Sequence, residues 1–243
     1  MLNTGDEPNV SGFRLEGDRL VPISGSIHAL GAGSDPAQVA FSPDGRTLLV
    51  TDRARDSIDL FAADADGLSE GPITERSSGA TPYGFAVTAD GVVVVTEAAG
   101  AQVGKASASS YKLVGPARLT PVSGAVANTR SEVCWAVTSK DGRIAFVTNF
   151  GDGTISSYAI GDDGSIELRE AVAASTVDGV LPVCPPRRHG SGLRLGGGSR
   201  REAVGARRRK RPTADCSGAR GELGGNPGGR AILRPASRGG AVR

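Results

Sequence analysis

Two glutamates and two arginines, Glu97, Glu132, Arg53 and Arg130, have the side chains that a hydrolytic site needs. A carboxylate can take a proton from water, and a guanidinium can stabilise the oxyanion that forms when the water attacks a carbonyl group. Either glutamate with either arginine could supply both functions. The alternative interpretation is that these residues are solvated loop side chains or form hydrogen bonds between neighbouring structural units. The choice depends on the elements that carry them.

Those elements repeat along the chain. An aromatic residue in a short apolar stretch recurs at Phe13, Phe61, Tyr111 and Tyr158, at spacings of 48, 50 and 47 residues. An Asp-Gly turn signature recurs in the same phase at positions 44–45, 90–91 and 141–142. A repeat of this length indicates a propeller or a solenoid.

One repeat shows the strands that each unit contains. Residues 37–41 are apolar enough for an inner strand, and the Asp-Gly turn follows them. Residues 46–51 are predicted to form a strand buried on both faces, because they are rich in β-forming residues and mostly apolar. Residues 57–61 alternate and predict one buried face, whereas 68–74 are suited to an outer edge. Four strands per unit predict an all-β fold, a partial β-propeller of about 3.5 four-stranded blades over residues 1–176.

The rest of the chain has a different composition. Residues 1–176 contain 13 Lys and Arg against 22 Asp and Glu, a net charge of −9, and they contain all ten aromatic residues. Residues 177–243 contain 15 against 4, a net charge of +11, with many Gly and Pro. A chain of this kind cannot bury enough apolar surface to offset its conformational entropy. We therefore predict a disordered basic tail over 177–243.

The repeat is also incomplete at both ends. The first half-blade begins at Met1, beyond the place expected for its two inner strands, and the last blade finishes near Ala171. These boundaries predict a truncated propeller, and the hypothesis for residues 177–243 is either out-of-frame sequence or a misassembled gene model. An open array of blades leaves unpaired edges, so self-association through them is expected.

Several motifs resemble the bacterial lactonase-family β-propellers, the seven-bladed relatives of 6-phosphogluconolactonase and of the cycloisomerase that acts on carboxymuconate. The motifs that carry the resemblance lie at residues 36–45, 78–85, 134–138 and 147–156. They are strand and turn signatures, and no catalytic residue of a characterised family member can be matched onto this sequence. The resemblance implies hydrolysis or isomerisation of a small lactone of the sugar-acid type. The alternatives are a non-enzymatic propeller that binds a ligand or a protein, and a truncated product without function.

Ligands of propellers usually bind at one end of the central channel, where two sets of loops meet. The corresponding loops here are 31–38, 52–57, 79–84, 97–102, 127–133 and 149–154. The four candidate residues Glu97, Glu132, Arg53 and Arg130 all lie in these loops. They are the residues from which a lactone-hydrolysing pair would be drawn.

No cofactor and no metal site is predicted. The Asp-rich stretches at 64–67 and 162–164 are interpreted as hairpin turns, and 100–105 lacks the hydroxyl residue and the helix of a phosphate loop. His28 and His189 are isolated in the sequence, and Cys134 is predicted to be a buried, inert thiol.

A small lactone is the expected partner. The basic run at 207–211 has no interleaved aromatic residues, so no specific nucleic-acid binding is expected. The sequence has no signal peptide and no apolar stretch long enough to span a membrane. As written, the chain reads as cytoplasmic, although relatives in the resembled family are often exported.

Overall fold

A computed structural model describes residues 1–64 and 67–176. The predictions for 177–243 lie outside the described residues. The described chain is all-β, with one short 3-10 turn at Ala99–Ala101, and no helix in it is long and apolar enough to cross a membrane. The strands are β1 Leu2–Asn3, β2 Asn9–Glu16, β3 Arg19–Ala29, β4 Pro36–Phe41, β5 Thr47–Asp52, β6 Ser57–Asp64, β7 Gly67–Leu68, β8 Ile73–Arg76, β9 Pro82–Val87, β10 Val92–Glu97, β11 Ser107–Leu113, β12 Leu119–Ala127, β13 Val133–Thr138, β14 Ile144–Asn149, β15 Thr154–Ile160 and β16 Ile166–Ser175.

These strands form four antiparallel sheets in chain order. Sheet 1 contains β1–β3, sheet 2 contains β4–β8, sheet 3 contains β9–β12 and sheet 4 contains β13–β16. Sheets 3 and 4 each follow the simple order of four consecutive strands, and in sheet 2 the outer position is shared by β7 and β8, which both pair with β6. The predicted partial propeller of about 3.5 blades is confirmed.

Sheet 1 keeps more of its inner part than the sequence suggested. The two residues of β1 pair with β2, with Leu2 opposite Val10 and Asn3 opposite Asn9. In sheets 2, 3 and 4 the same edge of the third strand pairs with the second strand. Leu2–Asn3 therefore occupies the end of a second strand, and the expectation that Met1 lies beyond both inner strands is wrong.

Three of the four repeated aromatic residues fill the spaces between successive sheets. Phe61 of sheet 2 packs in the apolar cluster shared with sheet 1, Tyr111 of sheet 3 in the cluster shared with sheet 2, and Tyr158 of sheet 4 in the cluster shared with sheet 3. Burying an aromatic side chain of this size contributes about 1.5–3 kcal/mol. The repeat period thus follows from the need for one large apolar side chain in each intersheet space.

Packing on both faces changes the burial of the central strands. All six residues of β5 and of β10 are buried, as the apolar run 46–51 predicted. Residues 57–61 are buried without interruption, so the prediction of a single buried face is wrong. Side chains of this strand point alternately to its two faces, and both faces are covered. Phe61 packs in the cluster shared with sheet 1, whereas Ile58 and Leu60 pack in the cluster shared with sheet 3. The outer strand predicted at 68–74 is split into β7 and β8.

The Asp-Gly turns are built as the sequence predicted. Asp44 accepts hydrogen bonds from the Ser42 hydroxyl at 2.6 Å and the Arg46 amide at 3.1 Å, and Gly45 has a φ of 70°. The hydrogen bond from Ser42 is the main cause that lowers the pKa of Asp44. Asp141 repeats the arrangement with Ser139 and Arg143. Glycine is needed after each aspartate because the turn requires a left-handed backbone.

The outer faces of the first and last sheets expose apolar side chains. Val137 and Phe146 lie opposite each other in sheet 4 and are 62% and 37% exposed. Leu15 and Leu20, a pair in sheet 1, are 68% and 60% exposed. These exposed faces agree with the sequence-based expectation of an open array of blades, whereas self-association stays a prediction.

Candidate functional site

One end of the sheets gathers the loops in which the candidate residues lie. We call this the loop end: residues 31–35, 53–56, 77–81, 98–106, 128–132 and 150–153. In sheets 2, 3 and 4, the loop before the first strand accepts a hydrogen bond from the residue after the second strand, as in Arg53 N to Asp35 O at 3.0 Å and Phe150 N to Glu132 O at 2.9 Å. Neighbouring sheets are joined here as well, because the Thr81 amide donates to Asp56 Oδ1 at 2.7 Å.

Glu97 lies beneath the loop end and is completely buried. Its carboxylate accepts hydrogen bonds from the hydroxyls of Ser77 at 3.1 Å, Ser107 at 2.7 Å and Ser109 at 2.6 Å, and from the Gly79 amide at 2.7 Å. The Cβ of any other residue at position 79 would lie 2.2 Å from Glu97 Oε2. No cation among the described residues forms an ion pair with this carboxylate. The hydrogen bonds of the Glu97 carboxylate therefore hold the loops of sheet 3 together.

Arg130 lies in the loop before the first strand of sheet 4. Its backbone amide donates to Asn128 Oδ1 at 2.9 Å, and its guanidinium donates to Thr129 Oγ1 at 3.3 Å. Its Nε is buried without a hydrogen-bond partner in the part of the chain that the structure describes. Its carbonyl oxygen accepts a hydrogen bond of 3.0 Å from the Ala106 amide in a neighbouring loop. The side-chain contacts of Arg130 are thus local to its own loop.

Arg53 forms a different kind of group at the loop end. Its Nη2 donates to Asp35 Oδ1 at 2.6 Å, and its guanidinium carbon lies 4.9 Å from the centre of the Tyr83 ring. Tyr83 also makes an edge-to-face contact with Trp135, with ring centres 5.4 Å apart and an interplanar angle of 84°. Sheets 2, 3 and 4 contribute Arg53, Tyr83 and Trp135 in turn. The group therefore combines a cation with an aromatic surface.

Side chains of one sheet fix the first strand of the next. The Thr51 hydroxyl donates to Tyr83 O, and the Gln38 amide exchanges two hydrogen bonds of 2.9 Å with the backbone of Phe85. The Thr96 hydroxyl donates to Cys134 O at 2.7 Å. The backbones on which the two aromatic rings stand are thereby held across the intersheet spaces.

Glu132 lies beside the same group. The buried Cys134 thiol donates to Glu132 O at 3.4 Å, and the predicted burial of this cysteine is confirmed. Burial raises the pKa of the Cys134 thiol to about 11; the Glu132 carboxylate acts in the same direction, and the Arg53 guanidinium opposes it. Glu132 lies in the loop before the first strand of sheet 4, and Arg53 lies in the loop after the second strand of sheet 2. Both residues are therefore part of the loop end.

The backbone at Glu132 is unusual. It has a φ of 51°, and Thr81, which also immediately precedes a first strand, has a φ of 59°. A residue other than glycine in this region costs about 1–3 kcal/mol, so surrounding contacts must hold it. The Phe150 amide and the Cys134 thiol, both donors to Glu132 O, are contacts of this kind. The Glu132 side chain is half-buried and has no hydrogen-bond partner among the described residues.

The sequence could have revealed the buried role of Glu97. Each second strand ends in a threonine followed by a polar residue, in the pairs Thr51 and Asp52, Thr96 and Glu97, and Thr148 and Asn149. A polar residue recurring at one place in the repeat indicates a structural hydrogen bond. The aromatic contact could not be found in this way, because the residue equivalent to Trp135 is Gly84 in sheet 3 and Gln38 in sheet 2. Each of these three residues donates its backbone amide to the threonine of the second strand.

The fold is a partial β-propeller with an open loop end. Comparison with known proteins shows which family of propellers it resembles. Residues 17–103 match the family described as Lactonase, 7-bladed beta-propeller. This match confirms the resemblance that the sequence motifs indicated. No curated protein matches the chain.

Solved structures share the fold at low sequence identity. A candidate 6-phosphogluconolactonase from Bacteroides uniformis superposes with a TM-score of 0.57 at 17% identity, covering 72% of this chain and 52% of that one. The periplasmic gluconolactonase of Pseudomonas aeruginosa gives 0.54 at 17%, covering 70% and 51%. A further candidate 6-phosphogluconolactonase, from Bacteroides fragilis, gives 0.55 at 11%, covering 70% and 53%. The chain thus spans about half the length of these proteins.

Proposed function

We propose that the loop end binds a small lactone of the sugar-acid type and hydrolyses it, with Glu132 as the general base and Arg53 as the oxyanion-stabilising cation. The observation that carries the proposal is that the Arg53 guanidinium is fixed by Asp35 and Tyr83 at the loop end, where Glu132 also lies, in a chain that matches the lactonase family. One structural neighbour is named as a gluconolactonase and another as a candidate 6-phosphogluconolactonase, and both names support the substrate class.

The proposed reaction needs only these two groups and water. Glu132 removes a proton from a water molecule, whose oxygen attacks the lactone carbonyl carbon and forms a tetrahedral oxyanion. The Arg53 guanidinium stabilises that negative charge. When the ring C–O bond breaks, Glu132 returns the proton to the departing ring oxygen. The product is the open hydroxy acid. Isomerisation would use the same base on a carbon-bound proton.

Arg53 is held in a suitable state for this role. Its Nη2 donates to Asp35 and its Nε to Asp35 O at 3.5 Å, so Nη1 has no hydrogen-bond partner among the described residues. The side chain is 30% exposed, so a ligand can reach it. A guanidinium already fixed on two sides loses little conformational freedom when it binds an oxyanion.

The test is hydrolysis of D-glucono-1,5-lactone by the full chain, followed by base uptake in a pH-stat and corrected for spontaneous hydrolysis. Glu132→Gln removes the base, so kcat is expected to fall by about 100-fold or more. Arg53→Lys removes the planar donor set and is expected to lower kcat by about 100-fold.

Matched variants at distant places provide the controls. Glu167→Gln on an outer strand and Arg143→Lys in an Asp-Gly turn alter exposed residues of the same types and are expected to leave kcat within about twofold. Arg130→Lys is expected to behave like these controls. If Glu132→Gln retains the rate of Glu167→Gln, the proposed base is wrong.

The periplasmic neighbour agrees with the expectation that relatives are often exported.

A further inference from the structure

Trp135 differs from its two equivalents in what its side chain does. Gln38, Gly84 and Trp135 each donate a backbone amide to the threonine of their second strand, at 3.2, 3.0 and 3.2 Å. In sheet 2 the Gln38 side chain is used to bind the Phe85 backbone, and in sheet 3 glycine has no side chain. Trp135, on the first strand of the last described sheet, is 42% exposed. An exposed ring at this place in the repeat is available to a ligand.

The indole is nevertheless held in place. A Cβ added to Gly84 would lie 2.4 Å from Cys134 O and 2.9 Å from Trp135 Cε3, so the two first strands touch at this point. The hydroxyl of Thr96 fixes Cys134 O from the same side, and Tyr83 meets the indole edge to face. One part of the ring is thus packed and the rest is open. A fixed aromatic surface loses little entropy when it binds.

Polar groups surround this surface. Tyr83 also contacts the Arg53 guanidinium, which is itself paired with Asp35. An aromatic wall with a few converging polar groups is the usual composition of a small-molecule site. The matching ligand has an apolar face of C–H groups and a rim of hydroxyls. A saturated polyhydroxylated ring has this form, whereas the open chain does not keep it.

We propose that Trp135, with Tyr83 behind it, is the stacking wall of this site and selects the closed ring of a polyhydroxylated ligand over its open chain. This inference rests on the proposed function, because it places the ligand at the same loop end. In the hydrolysis of a lactone, it favours the ring-shaped substrate over the extended product, and so promotes product release.

Fluorescence provides a direct test, because Trp135 is the single tryptophan of the chain. The full chain is titrated with 1,5-anhydro-D-glucitol, a ring that cannot be hydrolysed, and with D-glucitol, the corresponding open chain. The ring is expected to change the indole emission in a saturable way, and the open chain to give no saturable change at the same concentrations. If neither ligand, or both equally, changes the emission, the inference is wrong.

Variants separate stacking from a general effect on structure. Binding of the ring ligand is followed by calorimetry, since the variants lack tryptophan fluorescence. Trp135→Ala is expected to weaken binding by about tenfold, whereas Trp135→Phe retains part of it. Phe146→Ala removes another exposed aromatic residue of sheet 4 and is expected to leave the affinity unchanged, with circular dichroism confirming that each variant is folded.

The two proposals can fail separately. Ring binding that depends on Trp135, without any lactone hydrolysis, would overturn the proposed function and retain the stacking wall. Lactone hydrolysis with an unchanged KM in Trp135→Ala would overturn the stacking wall and retain the proposed function.

Discussion

The second strands of sheets 2 and 3 both end in a buried carboxylate, but the two carboxylates have different hydrogen-bond partners. In sheet 2, the buried Asp52 accepts hydrogen bonds from Ser34 Oγ at 2.6 Å and from Arg55 Nε at 2.7 Å, and Arg55 also binds the buried Asp59. In sheet 3, Glu97 is surrounded by hydroxyls and one amide and has no cation.

Sheet 4 extends the comparison to a neutral side chain. Asn149 donates to Ser156 Oγ at 2.8 Å and Thr154 Oγ1 at 3.1 Å, and it accepts from Asn128 at 2.8 Å. The same position at the end of the second strand thus holds an ion-paired carboxylate in sheet 2, a carboxylate bound only by neutral donors in sheet 3, and an amide in sheet 4. The difference teaches that this position is a hydrogen-bonding centre, and that a carboxylate found there is no sign of catalysis.

Replacing Glu97 with alanine is the strongest way to test this view. The change leaves three hydroxyls and the Gly79 amide without their buried acceptor, so we expect a loss of about 4 kcal/mol in the free energy of unfolding. Urea denaturation of the full chain measures it. Glu97→Gln keeps an acceptor and is expected to lose only about 1 kcal/mol. Equal losses in the two variants would show that the charge itself matters.

Removing the cation of sheet 2 is expected to have a somewhat smaller effect. Arg55→Met leaves the carboxylates of Asp52 and Asp59 buried without their ion-pair partner, and we expect a loss of about 3 kcal/mol. The side chain of Arg55 is 30% exposed, so water can compensate in part. Arg76→Met, which alters an exposed arginine, is the control. A loss no larger than in that control would contradict the importance of the ion pairs.

The smallest effect concerns pH. Burial raises the pKa of Asp59 above its ordinary value of 3.8, despite the opposing hydrogen bond from Thr74 and the charge of Arg55. The folded state therefore binds the proton more tightly than the unfolded state, and stability from this group is full below pH 3.8 and declines as the pH rises through the folded-state pKa. We expect the stability of the wild type relative to Asp59→Asn to decrease over that range, as urea denaturation at several pH values would show. A difference that rises with pH would reverse the assigned direction.

The pKa of Asp52 is shifted in the opposite direction, so its contribution to the pH dependence must be separated from that of Asp59. Burial is the largest single influence on the pKa of Asp52 and acts to raise it. The hydrogen bonds from Ser34 and the Asp35 amide and the charge of Arg55 together outweigh burial, so the pKa of Asp52 is lowered. Its contribution is present above pH 3.8 and is lost as the pH falls through its folded-state pKa. Since Asp52 is present in both the wild type and Asp59→Asn, much of its effect cancels in the difference between the two.

The sequence predicted the parts of the fold that each repeat determines locally. The Asp-Gly turns, the buried run that became β5 and the number of blades follow from residue type and spacing. The burial of Ser57 to Phe61 did not, because it depends on sheets that pack against both faces. Likewise, the contact of Arg53 with Tyr83 joins residues of two sheets that are 30 positions apart in the sequence, and no local pattern encodes that contact.

Three of the joints between sheets have a consequence for how such chains change. The Thr51 hydroxyl and the Gln38 amide of sheet 2 bind main-chain atoms of sheet 3, and the Thr96 hydroxyl of sheet 3 binds a main-chain atom of sheet 4. Main-chain acceptors are present whatever residue stands there, as the different residues Tyr83 and Cys134 illustrate. These three joints therefore allow substitutions at the bound positions of a first strand without a matching change in the sheet before it.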